Sequence, residues 1–320
     1  MTVPPFLGAE AVLALDPAAA VAALRGALAA GLDPAIDPAR SAVPVRSGEL
    51  MAMPSDGPDY TGVKLLSVAP GNAGRGVPRI QGIYLLFDAE TLTPVALLDG
   101  VAMTNVRTAA VSALAASLLA APDAKRLVVF GTGPQAHAHI SALAAMLPIA
   151  EVVVVGRSTE SSERFAAAWA GRLPTVAAGT AEQVADADVV VCATTATVPL
   201  FPADLLPDDA LAIAVGSHQP GVVELDPKLL GRAQVVVEEP ATALREAGEV
   251  VAAVSAGVLD RSELVGLSDL VQGALTVDRT RPRVFKSVGM AWEDRVVAEA
   301  VLGRHGTAAG GRAGAPEVTG

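Results

Sequence analysis

Two cations stand among apolar neighbours. Lys64 lies in the strand-like run 62–68 and shares its face with apolar residues two and four positions further on. Arg107 is the only charged residue in 101–122, and apolar residues follow it at helical spacing. A buried arginine requires an anion, which is either an internal Asp or Glu or the carboxylate of a substrate. Because the chain has only four lysines, Lys64 is interpreted as a site residue, with extension of its amine to solvent as the alternative.

A glycine-containing turn follows a β-branched run. The pattern G-x-G-x-x-A occupies 131–136, after the strand-like run 126–130 and before a helical stretch. In this context the first Gly permits the tight turn, the second lets the backbone approach a pyrophosphate, and the Ala allows close helix packing. The alternative is a turn that binds nothing. The candidate cofactor contacts in this turn are Gly131, Thr132, Gly133, Pro134, Gln135 and Ala136.

The end of the next strand indicates which dinucleotide is bound. NAD-binding proteins usually place an acid there, on the ribose hydroxyls. Here Arg157, Ser158 and Thr159 stand at this point, and a guanidinium suits a 2′-phosphate. We therefore predict NADPH as the preferred cofactor, with NADH possible. The alternative is a solvated Arg157 beside a helix-capping Ser158, and Glu160 lies just beyond.

Histidine offers one candidate acid–base group. His218 lies in the loop 216–221, which follows a predicted strand, and open α/β sheets bind ligands at the carboxyl ends of their strands. His137 and His139 are two residues apart on a predicted helix, so they do not share a face, and packing roles are expected for them. No metal-ligand cluster or Ser-His-Asp arrangement stands out, and no metal is predicted.

The sequence predicts two kinds of fold that position these residues. The first half reads as α+β with a largely antiparallel sheet, formed by strands at 49–53, 62–68, 81–87 and 94–98 and helices at 18–30 and 103–121. The second half alternates helices with near-continuous apolar runs, which predicts an α/β, doubly wound parallel sheet. Its strands are predicted at 126–130, 151–155, 188–192, 211–215 and 233–237.

Composition excludes several classes of protein. The 320 residues, 52% of them hydrophobic, suffice for a large core, and a net charge of −11 argues against binding a nucleic-acid backbone. Cys192 is the only cysteine, so no disulfide framework is expected. The beginning of the sequence lacks a basic signal-peptide region and no run reads as a membrane span, so we expect a cytoplasmic protein without a membrane partner.

Five stretches resemble the ornithine cyclodeaminase/mu-crystallin family, and the resemblance covers nearly the whole chain. They are GVKL at 62–65, NVRTAAVSA at 105–113, GTGPQAH at 131–137, EAGE at 246–249 and VFKSVGMAWED at 284–294. The resemblance implies oxidation of amino acids, or reduction of imino acids, by hydride exchange with a nicotinamide dinucleotide. It also implies that Arg40, Lys64 and Arg107 hold the substrate carboxylate.

The resemblance further implies a homodimer built from two domains. Residues 1–121 together with 288–320 would form the substrate-binding and dimerisation domain, and 122–287 a Rossmann dinucleotide-binding domain. The Gly- and Ala-rich residues 303–320 are expected to be a disordered tail. Five more residues are candidate cofactor contacts: Thr194, Val215, Gly216, Ser217 and Ser287.

Two departures from the family pattern bear on the substrate. Cyclodeaminases of the family carry acids at the positions occupied here by Ala52 and His218. Their loss disfavours a diamino acid and favours an NADPH-dependent ketimine reductase acting on a cyclic 2-imino acid, with Lys64 and His218 as catalytic candidates. The alternatives are an ornithine cyclodeaminase, an amino-acid dehydrogenase and an NADPH-binding protein without catalysis.

Overall fold

The computed structural model describes residues 3–310, except for the side chains of 73 and 306–310. The chain divides into two compact units. The first comprises Met1–Ala23, Asp37–Arg107 and Ala291–Gly320, and the second comprises Leu24–Ile36 and Thr108–Met290. The boundary after Arg107 falls within the helix Gly100–Leu119, whereas the sequence prediction placed it at 121, the end of the predicted helix before Pro122.

The first unit is built on a six-stranded sheet. Its strands are β1 (Phe6–Leu7), β2 (Ser41–Val45), β3 (Gly48–Ser55), β4 (Tyr60–Val68), β5 (Ile80–Asp88) and β6 (Pro94–Asp99), and the order across the sheet is β1-β6-β5-β4-β3-β2. All pairs are antiparallel except β1 with β6. The predicted α+β architecture of this half is therefore confirmed. The sequence prediction lacked the edge strand β2, in which every residue is exposed.

Ten α-helices accompany the strands within residues 3–310. They are α1 (Ala9–Leu13), α2 (Pro17–Ala29), α3 (Gly100–Leu119), α4 (Pro134–Met146), α5 (Thr159–Ala167), α6 (Pro227–Arg232), α7 (Pro240–Glu246), α8 (Gly248–Ser255), α9 (Leu267–Val271) and α10 (Ala291–Gly310). Helix α10 continues to Gly310, so the predicted disordered tail 303–320 overlaps the end of this helix over 303–310. Alanine supports helix propagation there, and the rest of that prediction lies outside the described residues.

One face of the six-stranded sheet is covered by a helix, and the other face carries exposed apolar side chains. Helix α10 packs on β3, β4 and β5. On that face the side chains of Met53, Lys64, Tyr84 and Leu98 are buried. The opposite face carries apolar side chains that stay exposed in the single chain: Val43, Val45, Leu50, Leu65 and Ile83.

The second unit is built on an eight-stranded parallel sheet. Its strands are β7 (Arg126–Phe130), β8 (Glu151–Val155), β9 (Thr175–Ala178), β10 (Val189–Cys192), β11 (Leu211–Ala214), β12 (Gln234–Val237), β13 (Val265–Gly266) and β14 (Arg283–Lys286). The order across the sheet is β13-β12-β14-β11-β10-β7-β8-β9, and every pair is parallel. This confirms the predicted doubly wound sheet, while β9, β13 and β14 were not predicted.

Within the described residues, α3 is the one helix whose length and composition would allow it to cross a membrane. Of its most apolar window, 67% is buried inside the protein, as in the core helices of globular proteins.

Candidate active site

Four charged side chains form a buried cluster in the first unit. The Lys64 amine donates to Asp294 Oδ2 at 2.6 Å, and Arg107 Nη1 donates to Glu293 Oε2 at 2.8 Å. Arg107 Nε also lies 3.4 Å from Asp294 Oδ1, so Asp294 links the two cations. The cluster contains two positive and two negative groups and is neutral when all are ionised. Of the two anions left open by the sequence, the structure provides the internal one.

Local folding explains why these groups meet. Lys64 points to the face of the sheet that α10 covers, opposite Met53 on β3 and Tyr84 on β5. Glu293 and Asp294 occupy the first turn of α10, where the helix dipole favours negative charge. The predicted buried face for Lys64 is therefore confirmed, and its amine is held by a carboxylate.

The cluster changes the proton affinity of Lys64. Burial lowers the pKa of its amine to about 8, the nearby Arg107 charge acts in the same direction, and Asp294 opposes both. Lys64 therefore holds its proton less firmly than an exposed lysine.

Exposure distinguishes the members of the cluster. The side chains of Lys64, Glu293 and Asp294 have no exposed surface, whereas 8% of the Arg107 side chain is exposed. Arg107 is thus the cation of the cluster that reaches the surface of the chain. Arg40, the third predicted carboxylate ligand, is half-buried directly before β2, two strands away from β4.

The predicted pyrophosphate turn has the expected geometry. Gly131 has φ +114°, and a Cβ there would lie 2.4 Å from the Ala193 carbonyl oxygen, so only glycine fits. Gly133 caps α4 without a side-chain hydrogen bond, and a Cβ built on it meets no atom within 4 Å. Ala136 is fully buried. The free space above an uncapped helix N-terminus fits a phosphate group.

The three residues proposed to select the cofactor are exposed. Ser158 caps α5 by accepting a hydrogen bond from Ser161 N, as its alternative interpretation expected. Arg157 directly precedes this cap, and Thr159 begins the helix. Glu160 pairs with Arg164 at 3.0 Å on the surface of the same helix. Arg157 therefore lies at a helix N-terminus, a position suited to anions.

A buried carboxylate joins two of the predicted cofactor contacts. Glu224 Oε1 accepts hydrogen bonds from the amide and the hydroxyl of Thr194, both at 2.7 Å, and Oε2 accepts from Gly216 N at 2.6 Å. Burial raises the pKa of Glu224 above its usual value, while the charge of Lys286 and these hydrogen bonds act against that shift. The sequence reasoning missed Glu224, because an isolated Glu in a loop carries no local signal.

Further buried polar groups hold the neighbouring strand ends. The Lys286 amine donates to the carbonyl and hydroxyl oxygens of Ser217 at 2.7 and 2.9 Å, and Ser217 donates to Glu249 Oε2 at 2.7 Å. Ser287 donates to Glu238 Oε1 at 2.6 Å. Glu249 and Lys286 stand within the EAGE and VFKSVGMAWED stretches, so the family resemblance pointed to them without giving a role.

The remaining candidates lie as follows. Val215 is half-buried, and its amide donates to the Cys192 carbonyl. His218 is exposed in the loop after β11. His139 is fully buried between Ser112 Oγ and the Gln135 carbonyl, and burial lowers its pKa to about 4. His139 thus has the packing role that the sequence predicts.

The eight-stranded sheet with its glycine turn defines the second unit as a dinucleotide-binding type of α/β domain. The chain belongs to the ornithine cyclodeaminase/mu-crystallin family, and the model of this family matches residues 13–307.

Individual relatives agree with this assignment. The chain is 35% identical over 295 residues to Delta(1)-pyrroline-2-carboxylate reductase 2 of Burkholderia ambifaria, covering 91% of this chain and 93% of the relative. It is 34% identical over 271 residues to ketimine reductase mu-crystallin of Mus musculus, covering 83% and 84%. Among solved structures, an archaeal alanine dehydrogenase dimer with bound NAD superposes with a TM-score of 0.88 at 26% identity, covering 96% and 97%.

Proposed function

We propose that this chain is an imino-acid (ketimine) reductase that converts a cyclic 2-imino acid to the cyclic amino acid at the expense of NADPH. The observation that carries the proposal is Arg107, a guanidinium on a buried helix that keeps 8% of its side chain exposed while two carboxylates hold it in place. The two relatives named above, at 35% and 34% identity, are reductases of this kind.

Arg107 binds the substrate carboxylate in this proposal. Arginine presents five N–H donors in a rigid fork that matches a carboxylate. Glu293 and Asp294 fix the orientation of this fork, so little side-chain entropy is lost when the substrate binds. Lys64, which has no exposed surface, adds positive charge behind Asp294. Arg40 completes the carboxylate ligands that the family resemblance implies.

The cofactor supplies hydride, and residues of the second unit hold it. The turn 131–136 receives the pyrophosphate, for which the open space at Gly133 is suited. Arg157 receives the 2′-phosphate, which makes NADPH the preferred cofactor over NADH. Thr194, Val215, Gly216, Ser217 and Ser287 line the carboxyl ends of the strands, where doubly wound sheets bind their ligands.

Reduction of an imine also requires one proton, because a protonated imine is the better hydride acceptor. His218 is our candidate for holding that proton, since it is exposed in the loop after β11 and histidine is the side chain most often used for proton transfer. Lys64 is the second candidate, because the pKa of its amine is lowered to about 8. Exchange of His218 for Gln should lower kcat more than it raises KM for the imine, since a proton donor acts on the reacting bond.

The principal rival is ornithine cyclodeamination. That reaction must bind a second amine and expel ammonia, which calls for carboxylates near the substrate. Ala52 and His218 replace the two acids that the family uses, and Glu293 and Asp294 are already engaged by Arg107 and Lys64. We therefore favour reduction of a preformed cyclic imine.

A direct assay separates these functions. The purified protein is incubated with a pyrroline- or piperideine-2-carboxylate and either reduced cofactor, and oxidation of the cofactor is followed by absorbance. A parallel reaction contains ornithine with catalytic NAD⁺, and proline is sought by chromatography. We expect steady oxidation of NADPH and no proline. Proline release would overturn the proposal in favour of the cyclodeaminase, and dinucleotide binding without turnover of any imine would indicate a binding protein.

The proposed assembly is a cytoplasmic homodimer. The face of the six-stranded sheet opposite α10 exposes five apolar residues in the single chain, and patches of this kind commonly mark protein–protein interfaces. A second copy of the chain would bury Leu65 and its neighbours on this face. Light scattering after size-exclusion chromatography should give a dimer for the wild type and a monomer for Leu65→Glu.

A further inference from the structure

Glu224 stands where two loops of the second unit meet, and neither the sequence nor the family resemblance assigned it a role. Glu224 has no exposed surface. One carboxylate oxygen binds Thr194, which follows β10, and the other binds Gly216, which follows β11. A single side chain therefore fixes the distance between two strand ends at the edge where this type of sheet binds its ligand.

The neighbourhood of Glu224 leaves little freedom for these loops. The Glu224 amide donates to Glu249 Oε1 at 2.7 Å, and Glu249 Oε2 lies 3.3 Å from the Lys286 amine. A Cβ on Gly216 would lie 2.1 Å from the Thr194 carbonyl oxygen and 2.6 Å from Glu224 Oε1. The backbone at Gly216 is thus pressed against both Thr194 and the carboxylate, so loss of the carboxylate would release both loops together.

We propose that Glu224 is a positioning residue for the nicotinamide dinucleotide: its carboxylate sets the geometry of the Thr194 and Gly216 loops that contact the cofactor. The inference rests on the proposed function, because it takes these loops as cofactor contacts. Glu224 acts through Thr194 and Gly216 and has no direct role in the chemistry.

Glu224→Gln tests the proposal with a nearly isosteric change. An amide has one oxygen and one NH₂ group, so either Thr194 N or Gly216 N must face a donor. We expect KM for NADPH to rise about tenfold, which corresponds to about 1.4 kcal/mol. KM for the imine should stay unchanged, and kcat at saturating cofactor should change by less than about threefold, since only cofactor binding is affected.

A matched control comes from the opposite edge of the same sheet. Asp188 Oδ2 accepts hydrogen bonds from Lys125 N at 2.7 Å and Arg126 N at 2.8 Å, where strands begin. Asp188→Ala therefore removes the same kind of bond at the edge away from the proposed cofactor contacts. It should lower the melting temperature as Glu224→Gln does but leave KM for NADPH at the wild-type value, which separates positioning from general stability.

If Glu224→Gln does not fold, Glu224→Asp carries the same expectation, because it keeps the charge near Lys286 and shortens the side chain by one methylene. A folded variant of either kind with wild-type KM for NADPH would overturn the inference about Glu224 but would leave the proposed function intact. If the wild-type chain binds neither NADPH nor NADH, the proposed function fails and the inference fails with it. An equal rise in KM for Asp188→Ala would assign Glu224 to overall stability and would also overturn the inference.

Discussion

Removal of the Arg107 guanidinium separates its structural role from its proposed role in catalysis. Arg107→Met deletes the cation that faces Glu293 at 2.8 Å and Asp294 at 3.4 Å, two carboxylates without exposed surface. The cluster then holds Lys64 against two negative charges and carries a net charge of −1 instead of zero. Breaking a buried ion pair in this way costs about 3–5 kcal/mol, so we expect the free energy of unfolding to fall by that amount.

A second substitution restores the charge balance without restoring the guanidinium. In Arg107→Met/Glu293→Gln the remaining charges are those of Lys64 and Asp294, which already form a 2.6 Å pair. We expect this double variant to recover most of the lost stability but not the turnover. Loss of a buried charge pair with the substrate costs about 2–5 kcal/mol, which is roughly a thirtyfold to several-thousandfold decrease in kcat/KM.

The measurements are urea unfolding, kcat/KM for a cyclic 2-imino acid, and fluorescence titration with NADPH. Cofactor affinity should be unchanged, because Arg107 is not among the proposed cofactor contacts. Arg126→Met is the control, since this arginine is 25% exposed and lies 3.5 Å from each of its partners, Glu151 and Asp186, and such a surface pair contributes about 1 kcal/mol at most. A folded double variant with near-wild-type kcat/KM would refute the substrate role and assign Arg107 to the internal ion pairs alone.

Three further predictions concern the cofactor and the charge cluster. Arg157→Asp should lower the ratio of kcat/KM for NADPH over NADH by more than about tenfold, because a carboxylate repels a 2′-phosphate, whereas Arg164→Asp further along α5 should not. Gly133→Ala should weaken dinucleotide binding without loss of stability, since its Cβ meets only open space, whereas Gly131→Ala should lower the melting temperature. Binding of an imino-acid carboxylate should raise the pKa of Lys64 above about 8, so calorimetry in two buffers near that pH should detect proton uptake that is absent in Lys64→Met.

The sequence predicts most of the second unit because its central strands are buried on both faces. Runs such as β8 and β10 consist almost entirely of Val, which identifies them without any partner. Strand β14 escaped prediction because its four residues begin with Arg283 and end with Lys286, and charged ends are typical of a loop. Their charges are buried, and both side chains donate to backbone carbonyls, including Leu119 O and Ser217 O. Such partners come from distant segments and have no local pattern.

Within the site, the cations could be predicted and their partners could not. Lys64 and Arg107 are conspicuous because each interrupts an apolar face. Glu293 and Asp294 lie within the family stretch 284–294, but the resemblance gave them no role, and acids are common in the first turn of a helix for electrostatic reasons alone. The separation in sequence is 186 residues from Arg107 to Glu293 and 230 from Lys64 to Asp294. Only the packing of α10 on the sheet brings these residues together.

This difference changes the argument for the substrate. From the sequence, a buried Arg107 required an anion, either an internal Asp or Glu or a substrate carboxylate. In the structure the cluster is already neutral, so a substrate carboxylate is an additional negative charge that the cluster must accommodate. Arg107 is suited to accept it because its side chain reaches the surface and its fork offers several donors, whereas the Lys64 amine is enclosed behind Asp294. The proposed specificity for a carboxylate therefore rests on the orientation of one guanidinium, which Glu293 and Asp294 set.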